Sequence, residues 1–263
     1  MQLSNMTVEG TPMIESLEKA GRIIEYLSEN DGGRIVDVAD GLGLPKATAF
    51  RYLQTLEATG FVLKRENRFH LSLEWLYHGS KARDRYDPEA LIHDRVREIA
   101  ESTRERAQFV VLERNRPRFL YRELGDRAVR TDSRVGKAIP VHASSSGKVI
   151  LAHLPQSQRR DVLDDISFEQ YTDNTIRNRD LLQAELDTIR EQGYALNREE
   201  YLDRLRALSV PVNLGSGNGI AAIGVSGPTP RIETMIDDGD LVDMLRGTAN
   251  EIELRSGPRA QRS

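Results

Sequence analysis

The segment LGLPKATAFRYLQTLEATGFV, residues 42–62, combines side chains that bind phosphates and base edges with the spacing of one helical face. Lysine and arginine pair with phosphate or guanine, glutamine reaches adenine, a threonine hydroxyl anchors a phosphate, and an aromatic ring contacts a thymine methyl. The residues expected at this surface are Lys46, Ala47, Thr48, Phe50, Arg51 and Gln54. The chemistry they indicate is contact with double-stranded DNA.

The apolar residues of the same segment predict the helix that would position these side chains. Ala49, Leu53 and Leu56 recur at helical spacing and are expected to be buried. Pro45 suits the first turn of a helix, because its φ is fixed and it lacks an N–H. Gly60 follows as a C-terminal cap. Taken alone, however, any amphipathic surface helix shows a charged outer face.

The surrounding pattern predicts a winged helix-turn-helix. A helix over residues 13–29 and a shorter apolar pattern over residues 35–42 precede the segment. Two short β-type runs, residues 61–63 and 69–71, follow it and form a hairpin. The hairpin tip is expected to contact the DNA backbone through Lys64, Arg65 and Arg68.

Charge distribution supports this interpretation more than total charge does. The net charge of the 263-residue chain is −4, which argues against general coating of nucleic acid. Residues 1–43 contain 3 basic and 8 acidic residues, whereas residues 44–73 contain 5 basic and 2 acidic residues. The sign therefore changes where DNA would lie.

Composition favours a two-domain cytoplasmic protein without a cofactor. The chain is 38% hydrophobic and 30% charged, and its N-terminus does not resemble a signal peptide. No apolar run approaches the ~18 residues of a membrane span. The absence of cysteine excludes disulfides and thiolate metal sites, and the five histidines lack metal-ligand spacing.

The second half of the chain alternates helical and strand patterns, which predicts an α+β sensor-type domain. Helices are expected over residues 88–105, 146–152, 180–191 and 233–254, and strands over residues 108–113, 118–124, 208–212 and 220–225. The sequence GSGNG, residues 215–219, is predicted as a hairpin turn between the last two strands.

One element of this domain could bind an anion. Ser144, Ser145, Ser146 and Gly147 precede a predicted helix, so free backbone N–H groups would converge there. Ordinary capping by Ser144 or Ser145 is the alternative.

Enzyme motifs are not matched. The sequence SSSGK lacks the spacing of a phosphate loop, since His142 stands where the first glycine is needed and Val149 replaces Ser/Thr. GSGNG leads into a strand and is therefore no dinucleotide fingerprint. His142 lies near Ser144, but there is no GxSxG elbow. We expect no enzymatic activity.

Several ordered blocks make the chain similar to IclR-type transcriptional regulators over residues 13–254. The first domain carries SLEKAGRIIEYLSEN, IVDVADGLGLPKATAFRYLQTLEATGFV and RFHLSLEWL. The second carries VGKAIPVHASSSGKVILAHLP, YTDNTIRNRDLLQAELDTIREQGYALNREE and IAAIGVSGPTPRI. The resemblance implies an α+β fold, with a winged helix-turn-helix domain over residues 13–75, a linker helix over residues 76–87 and a GAF-like effector-binding domain over residues 88–255.

The resemblance also implies partners. Family members bind palindromic operators as homodimers or homotetramers and respond to a small-molecule effector, here expected to be acidic or sugar-derived. Carried over by position, the effector pocket would comprise Ala128, Ile139, Ser145, Ser146, Asn197, Leu205, Ala207, Gly224 and Ser226.

Three of these pocket positions depart from the family's carboxylate-binding members. Asn197 replaces an acidic residue, Ala207 a side chain with a polar or thiol head, and Gly224 a serine. These changes predict fewer side-chain hydrogen bonds and more room. Arg204 or Arg206 could supply a cation for an acidic ligand, with solvated surface arginines as the alternative.

Two other functions stay open at this point. An enzyme with its active site in the second domain would require a catalytic cluster, which the sequence does not offer. A protein-interaction module would use the winged helix to bind protein, and DNA binding would then be insensitive to changes at Lys46 and Arg51.

Overall fold

The computed structural model of the chain describes residues 14–87, 90–215 and 219–256. It divides into two compact units between Arg83 and Asp84, inside the predicted linker. Within these residues, every helix is too short or too polar to cross a lipid bilayer.

The first unit is a winged helix-turn-helix followed by one further helix. Its elements are α1 (Glu15–Glu29), α2 (Ile35–Leu42), α3 (Lys46–Ala58), β1 (Val62–Arg65), β2 (Arg68–Leu71) and α4 (Glu74–Asp84). The core joins Ile23 of α1, Val38 of α2, Leu53 of α3 and Phe69 of β2. The predicted winged fold is therefore confirmed; Met13, where the first helix was expected to begin, lies outside the described residues.

Local contacts explain why α2 and α3 meet at a tight turn. The backbone N–H of Arg34 donates to Asp37 Oδ2 at 3.0 Å, which closes the start of α2. Gly43 ends α2 with φ +64°, a left-handed conformation that glycine adopts without strain. Pro45 then caps the N-terminus of α3 with φ −57°. The turn is thus short enough to fix the angle between the two helices.

The second unit is an α+β domain built on one antiparallel sheet of five strands in the order β4-β3-β7-β6-β5. Its elements are α5 (Leu91–Thr103), β3 (Arg106–Glu113), β4 (Arg116–Leu124), α6 (Ser145–His153), α7 (Gln156–Asp164), α8 (Arg179–Gln192), β5 (Ala195–Arg198), β6 (Leu205–Asn213), β7 (Ile220–Pro228), α9 (Thr229–Asp237) and α10 (Asp240–Ser256). The mixed fold agrees with the predicted class.

Helices cover both faces of this sheet. One core contains Val96 of α5, Ile232 of α9 and Leu245 of α10. The other contains Ile150 of α6 and Leu186 of α8. Because both faces are buried, a polar strand residue that points inward must find a partner or line a cavity.

The structure corrects three expectations for this unit. Helix α7 was not predicted, since its sequence QSQRRDVLD buries only Val162 and Leu163 and shows little apolar periodicity. Strand β5 was missed because its sequence ALNR contains no β-branched or aromatic residue. The single final helix is two helices, separated at Gly239 with φ +81°. Residues 216–218 of the predicted hairpin turn lie outside the described residues.

Candidate DNA-binding surface and ligand cavity

Helix α3 presents the polar face that its sequence indicated. Ala49, Leu53 and Leu56 are buried against the first unit. On the opposite face, Phe50 is 40% exposed and Thr48 is half-buried. The remaining predicted contact residues of this helix are exposed, namely Lys46, Ala47, Arg51 and Gln54. The structure thus brings all six predicted residues to one helix, with five of them open to a partner.

The three cations of the wing differ in the contacts that they make. Lys64, Arg65 and Arg68 are all exposed, and Arg65 lies opposite Arg68 across the β1–β2 pair. Arg68 Nη2 donates to the carbonyl of Gly32 at 3.0 Å, and its Nη1 lies 3.9 Å from Asp37. Arg68 therefore stabilises the base of the wing, whereas Arg65 makes no ion pair with a described residue.

The second unit contains a cavity of about 180 Å³ at the N-terminal end of α6, against the sheet. Six residues expected in the effector pocket line it: Ile139, Ser145, Ser146, Asn197, Ala207 and Ser226. Lining residues that were not predicted include Arg106, Gln108, Phe119, Thr131, Ser133 and Leu202.

Three residues expected in the pocket lie outside the lining. Ala128 is in the turn after β4, where its N–H donates to the Gly125 carbonyl at 3.1 Å. Leu205 begins β6 at the end of the sheet, opposite Pro228. Gly224 has no side chain to contribute, and it lies opposite Ser209 of β6. Effector contact by these three residues stays a prediction.

The extra room expected at Gly224 is occupied by Ser209. A Cβ atom at Gly224 would lie 2.3 Å from Ser209 Oγ. That hydroxyl is within hydrogen-bond distance of Ser145 Oγ at 2.8 Å and Ser146 Oγ at 2.9 Å. Ser209 is fully buried and was missed by sequence reasoning, because nothing along the chain places it beside α6.

Helix α6 is capped by a serine, and its first N–H groups remain available. Ser144 Oγ accepts a hydrogen bond from the Gly147 N–H at 3.2 Å and donates to the Pro140 carbonyl at 2.5 Å. The backbone N–H groups of Ser145 and Ser146 have no acceptor among the described residues, as expected for a first helical turn. Capping by Ser144 is therefore confirmed, and anion binding at this turn stays a prediction.

Asn197 connects the cavity to a buried ion pair. Its Nδ2 donates to the Ala143 carbonyl at 2.6 Å, and its Oδ1 accepts from the Glu200 N–H at 3.1 Å. The carboxylate of Glu200 then binds Lys148 Nζ at 2.7 and 2.8 Å. Glu185 lies 3.0 Å from the same ammonium.

The cation that lines the cavity differs from the two suggested by sequence. Arg204 is exposed, and Arg206 pairs with Glu233 at 2.9 Å; neither lines the cavity. Arg106 of β3 does, and its pKa falls to about 10 because burial, together with the nearby Arg122, opposes its charge. The alternation of polar Arg106 and Gln108 with apolar residues is the sequence signal that could have identified it.

Comparison with known proteins places both units in one family. The IclR helix-turn-helix domain matches residues 16–66, and the bacterial transcriptional regulator IclR C-terminal domain matches residues 82–254. The probable HTH-type transcriptional regulator ArcR of Halobacterium salinarum is 29% identical over 246 residues, covering 92% of this chain and 94% of that protein.

Solved structures agree. A putative transcriptional regulator from Rhodococcus sp. RHA1 is 26% identical, with a TM-score of 0.77 over 92% of this chain and 98% of that one. An IclR homologue from Microbacterium hydrocarbonoxydans, solved in complex with 4-hydroxybenzoate, is 24% identical and shares the fold, with a TM-score of 0.75 over 91% and 98%. The chain belongs to the IclR family of DNA-binding transcriptional regulators, which carry a C-terminal effector-binding domain.

Proposed function

We propose that α3 binds the major groove of an operator and that the wing contacts its backbone. Lys46, Arg51 and Gln54 carry base-reading chemistry, and Lys46 and Arg51 lie in the N-terminal half of the helix, which is the part that enters the groove in this motif. Lys64 and Arg65 supply phosphate contacts. The observation that carries the proposal is that α3 exposes a polar face and that the cations of the wing are exposed as well.

We further propose that the cavity binds a small acidic or sugar-derived effector and that its occupancy changes operator affinity. The cavity is lined by residues with hydroxyl and amide groups, and two of them, Ser145 and Ser146, have backbone N–H groups without an acceptor among the described residues. An effector that binds one arrangement of the regulator more tightly shifts the population toward it. Changed spacing between two winged helices would then alter their fit to two half-sites.

Exposed apolar side chains on the first unit support assembly into a homodimer or homotetramer, which would bind a palindromic operator. Helix α4 has no buried residue, and Leu73, Leu76 and Tyr77 are all exposed around it. Ile14 and Leu17 at the start of α1 are also exposed. Such apolar surface is typical of protein interfaces. Since operator DNA is in the cytoplasm, we place the protein's activity there.

The test is binding of the full-length chain to the DNA upstream of its own gene, titrated across salt concentration. Arg51→Ala should weaken specific binding by ~1–3 kcal/mol if this arginine contacts a base. Arg160→Ala is the matched control, because Arg160 is an exposed helical arginine of the second unit. The logarithm of affinity should fall with the logarithm of salt concentration by ~0.9 per neutralised phosphate.

Either of two results would contradict the proposed DNA interface. Equal affinities for Arg51→Ala and Arg160→Ala would remove Arg51 from the recognition surface. Absence of sequence preference at every salt concentration would favour a winged helix that binds protein instead.

A further inference from the structure

Arg106 is held inside the cavity by hydroxyl groups. Its Nε donates to Ser226 Oγ at 2.7 Å, and its Nη1 donates to Ser133 Oγ at 3.0 Å and also to Thr131 Oγ1. Ser226 in turn donates to Gln108 Oε1 at 3.1 Å, so its lone pairs are directed to the guanidinium. The three hydroxyls fix the plane of Arg106. Nη2 makes no hydrogen bond to a described residue.

The partners of Arg106 contrast with those of two other cations of the second unit, the buried Lys148 and the half-buried Arg206. Lys148 pairs with Glu200, and Arg206 pairs with Glu233. Among the described lining residues the only carboxylate is Asp132, which binds Lys137 Nζ at 2.5 Å. Arg106 has no ion pair with a carboxylate in the described part of the chain, and the only charge that shifts its pKa is the like charge of Arg122. The cavity lining therefore carries one uncompensated positive charge.

Physical chemistry makes this arrangement unfavourable without an anion. Arg106 is half-buried, and partial removal of a guanidinium from water costs free energy that neutral hydroxyls compensate less than a carboxylate does. Arg122 adds a like charge nearby, and both effects lower the pKa of Arg106 to about 10. Arg106 is still charged at neutral pH. A bound anion would supply the missing counter-charge, and Nη2 is the donor left to bind it.

The rest of the lining narrows the chemical class of that anion. Polar groups approach the cavity from several sides, including Gln108, Ser146 and Asn197. Several of these groups already bond to protein, but Gln108 Nε2 makes no hydrogen bond to a described residue. A flat apolar acid would leave this donor without a partner, whereas the hydroxyl groups of a hydroxylated acid can accept from it. The free N–H groups at the first turn of α6 suit the hydroxyl or carbonyl oxygens of the same molecule.

We infer that Arg106 binds the carboxylate of the effector and that the effector is a hydroxylated carboxylic acid, with its hydroxyl groups toward the start of α6. This inference rests on the proposed function, in which the cavity holds the effector. It assigns the acid group to a side chain of β3, which the family's positional pattern did not indicate.

The experiment uses three acids of increasing length, each with its uncharged alcohol. Glycerate, threonate and gluconate are compared with glycerol, threitol and sorbitol by titration calorimetry on the full-length chain. We expect at least one acid to bind and its alcohol to bind at least tenfold more weakly. Arg106→Gln should weaken binding of that acid at least tenfold. Arg106→Lys should be intermediate, since it keeps the charge and loses the planar fork.

Arg206→Gln is the matched control, because it removes one positive charge from the same sheet at a residue that does not line the cavity. It should bind the acid as the wild type does. Thermal melting establishes that each variant is folded, and Arg106→Lys replaces Arg106→Gln in the comparison if the latter melts early.

Binding of the same variants to operator DNA separates this inference from the proposed function. If Arg106→Gln binds DNA as the wild type does but no longer responds to the acid, the result supports both the proposed function and the inference about Arg106. Equal binding of acid and alcohol, failure of all three acids to bind the wild type, or an unchanged response in both Arg106 variants would overturn the inference while operator binding stands. If acid binding depends on Arg106 but the wild type does not bind DNA specifically, the proposed function is contradicted and the inference about Arg106 stands.

Discussion

Lys148→Met should destabilise the second unit severely, because it breaks a buried ion pair from one side. Lys148 is 0% exposed and Glu200 is 5% exposed. Both oxygens of Glu200 bind the ammonium, at 2.7 and 2.8 Å. Methionine has a similar length and leaves the buried carboxylate with one donor among the described residues, the backbone N–H of Arg198 at 3.2 Å.

The expected magnitude is that of an uncompensated buried charge. Removing one partner of such a pair costs ~3–5 kcal/mol of unfolding free energy. Most of this loss comes from the buried carboxylate of Glu200, which loses its cation. Glu185 loses less, because it is partly exposed and also lies 3.7 Å from Arg198 Nη1. For a unit of this size the loss corresponds to a melting temperature lowered by ~6–20 °C.

The assay is urea unfolding followed by circular dichroism and by tryptophan emission. The single tryptophan, Trp75, lies in the first unit, where its Nε1 donates to the Phe61 carbonyl at 2.8 Å. Emission therefore reports the first unit and should change little. Lys137→Met is the control, because Lys137 forms an exposed ion pair with Asp132, and such pairs contribute ~0–1 kcal/mol.

A double variant isolates the cause. Adding Glu200→Gln to Lys148→Met removes both charges and should recover most of the loss, since glutamine can still accept from the Arg198 N–H. Two results would refute the reasoning: a loss for Lys148→Met within ~1 kcal/mol of that for Lys137→Met, or no recovery in the double variant.

Two further predictions concern stability. Gly224→Ala should lower the unfolding free energy of the second unit by ~1–3 kcal/mol, since its Cβ would lie 2.3 Å from Ser209 Oγ, whereas Gly247→Ala, in open space on α10, should be neutral or stabilising in the same urea assay. Equal effects would contradict the close approach. Hydrogen bonds from Arg34 hold the pKa of Asp37 at about 2, so the stability it contributes to the first unit is present above about pH 4 and is lost as the pH falls through about 2. Asp37→Asn should therefore lower the melting temperature reported by tryptophan more at pH 7 than at pH 2, where Asp37 is partly protonated; equal shifts at both would refute this.

The DNA-binding unit could be predicted closely from sequence because its signals are local. The spacing of Ala49, Leu53 and Leu56 determines which face of α3 is buried, and the polar residues on the other face are then exposed by geometry. Gly43 and Gly60 end helices in left-handed conformations only a few residues from the segments they terminate. The different settings of Arg65 and Arg68 were not predictable, since they depend on the approach of Gly32 to the wing.

The cavity could be predicted only in part. The first turn of α6 is encoded by consecutive serines, but its neighbours come from β3, β5, β6 and β7, up to 120 residues apart between Arg106 and Ser226. Antiparallel pairing places Ser226 opposite Arg106 and Gly224 opposite Ser209. The periodicity of the sequence does not determine this pairing register.

The sequence by itself determined the two-domain organisation, the winged helix-turn-helix and the polar face of α3, because helical periodicity, caps and turn residues act within a few positions of one another. Only the tertiary structure decided that Ser209 fills the space beside Gly224, that Lys148 is buried against Glu200, and that Arg106 enters the cavity without a carboxylate. Those outcomes depend on sheet order and on which helices cover each face, and such long-range packing is not encoded at any single position.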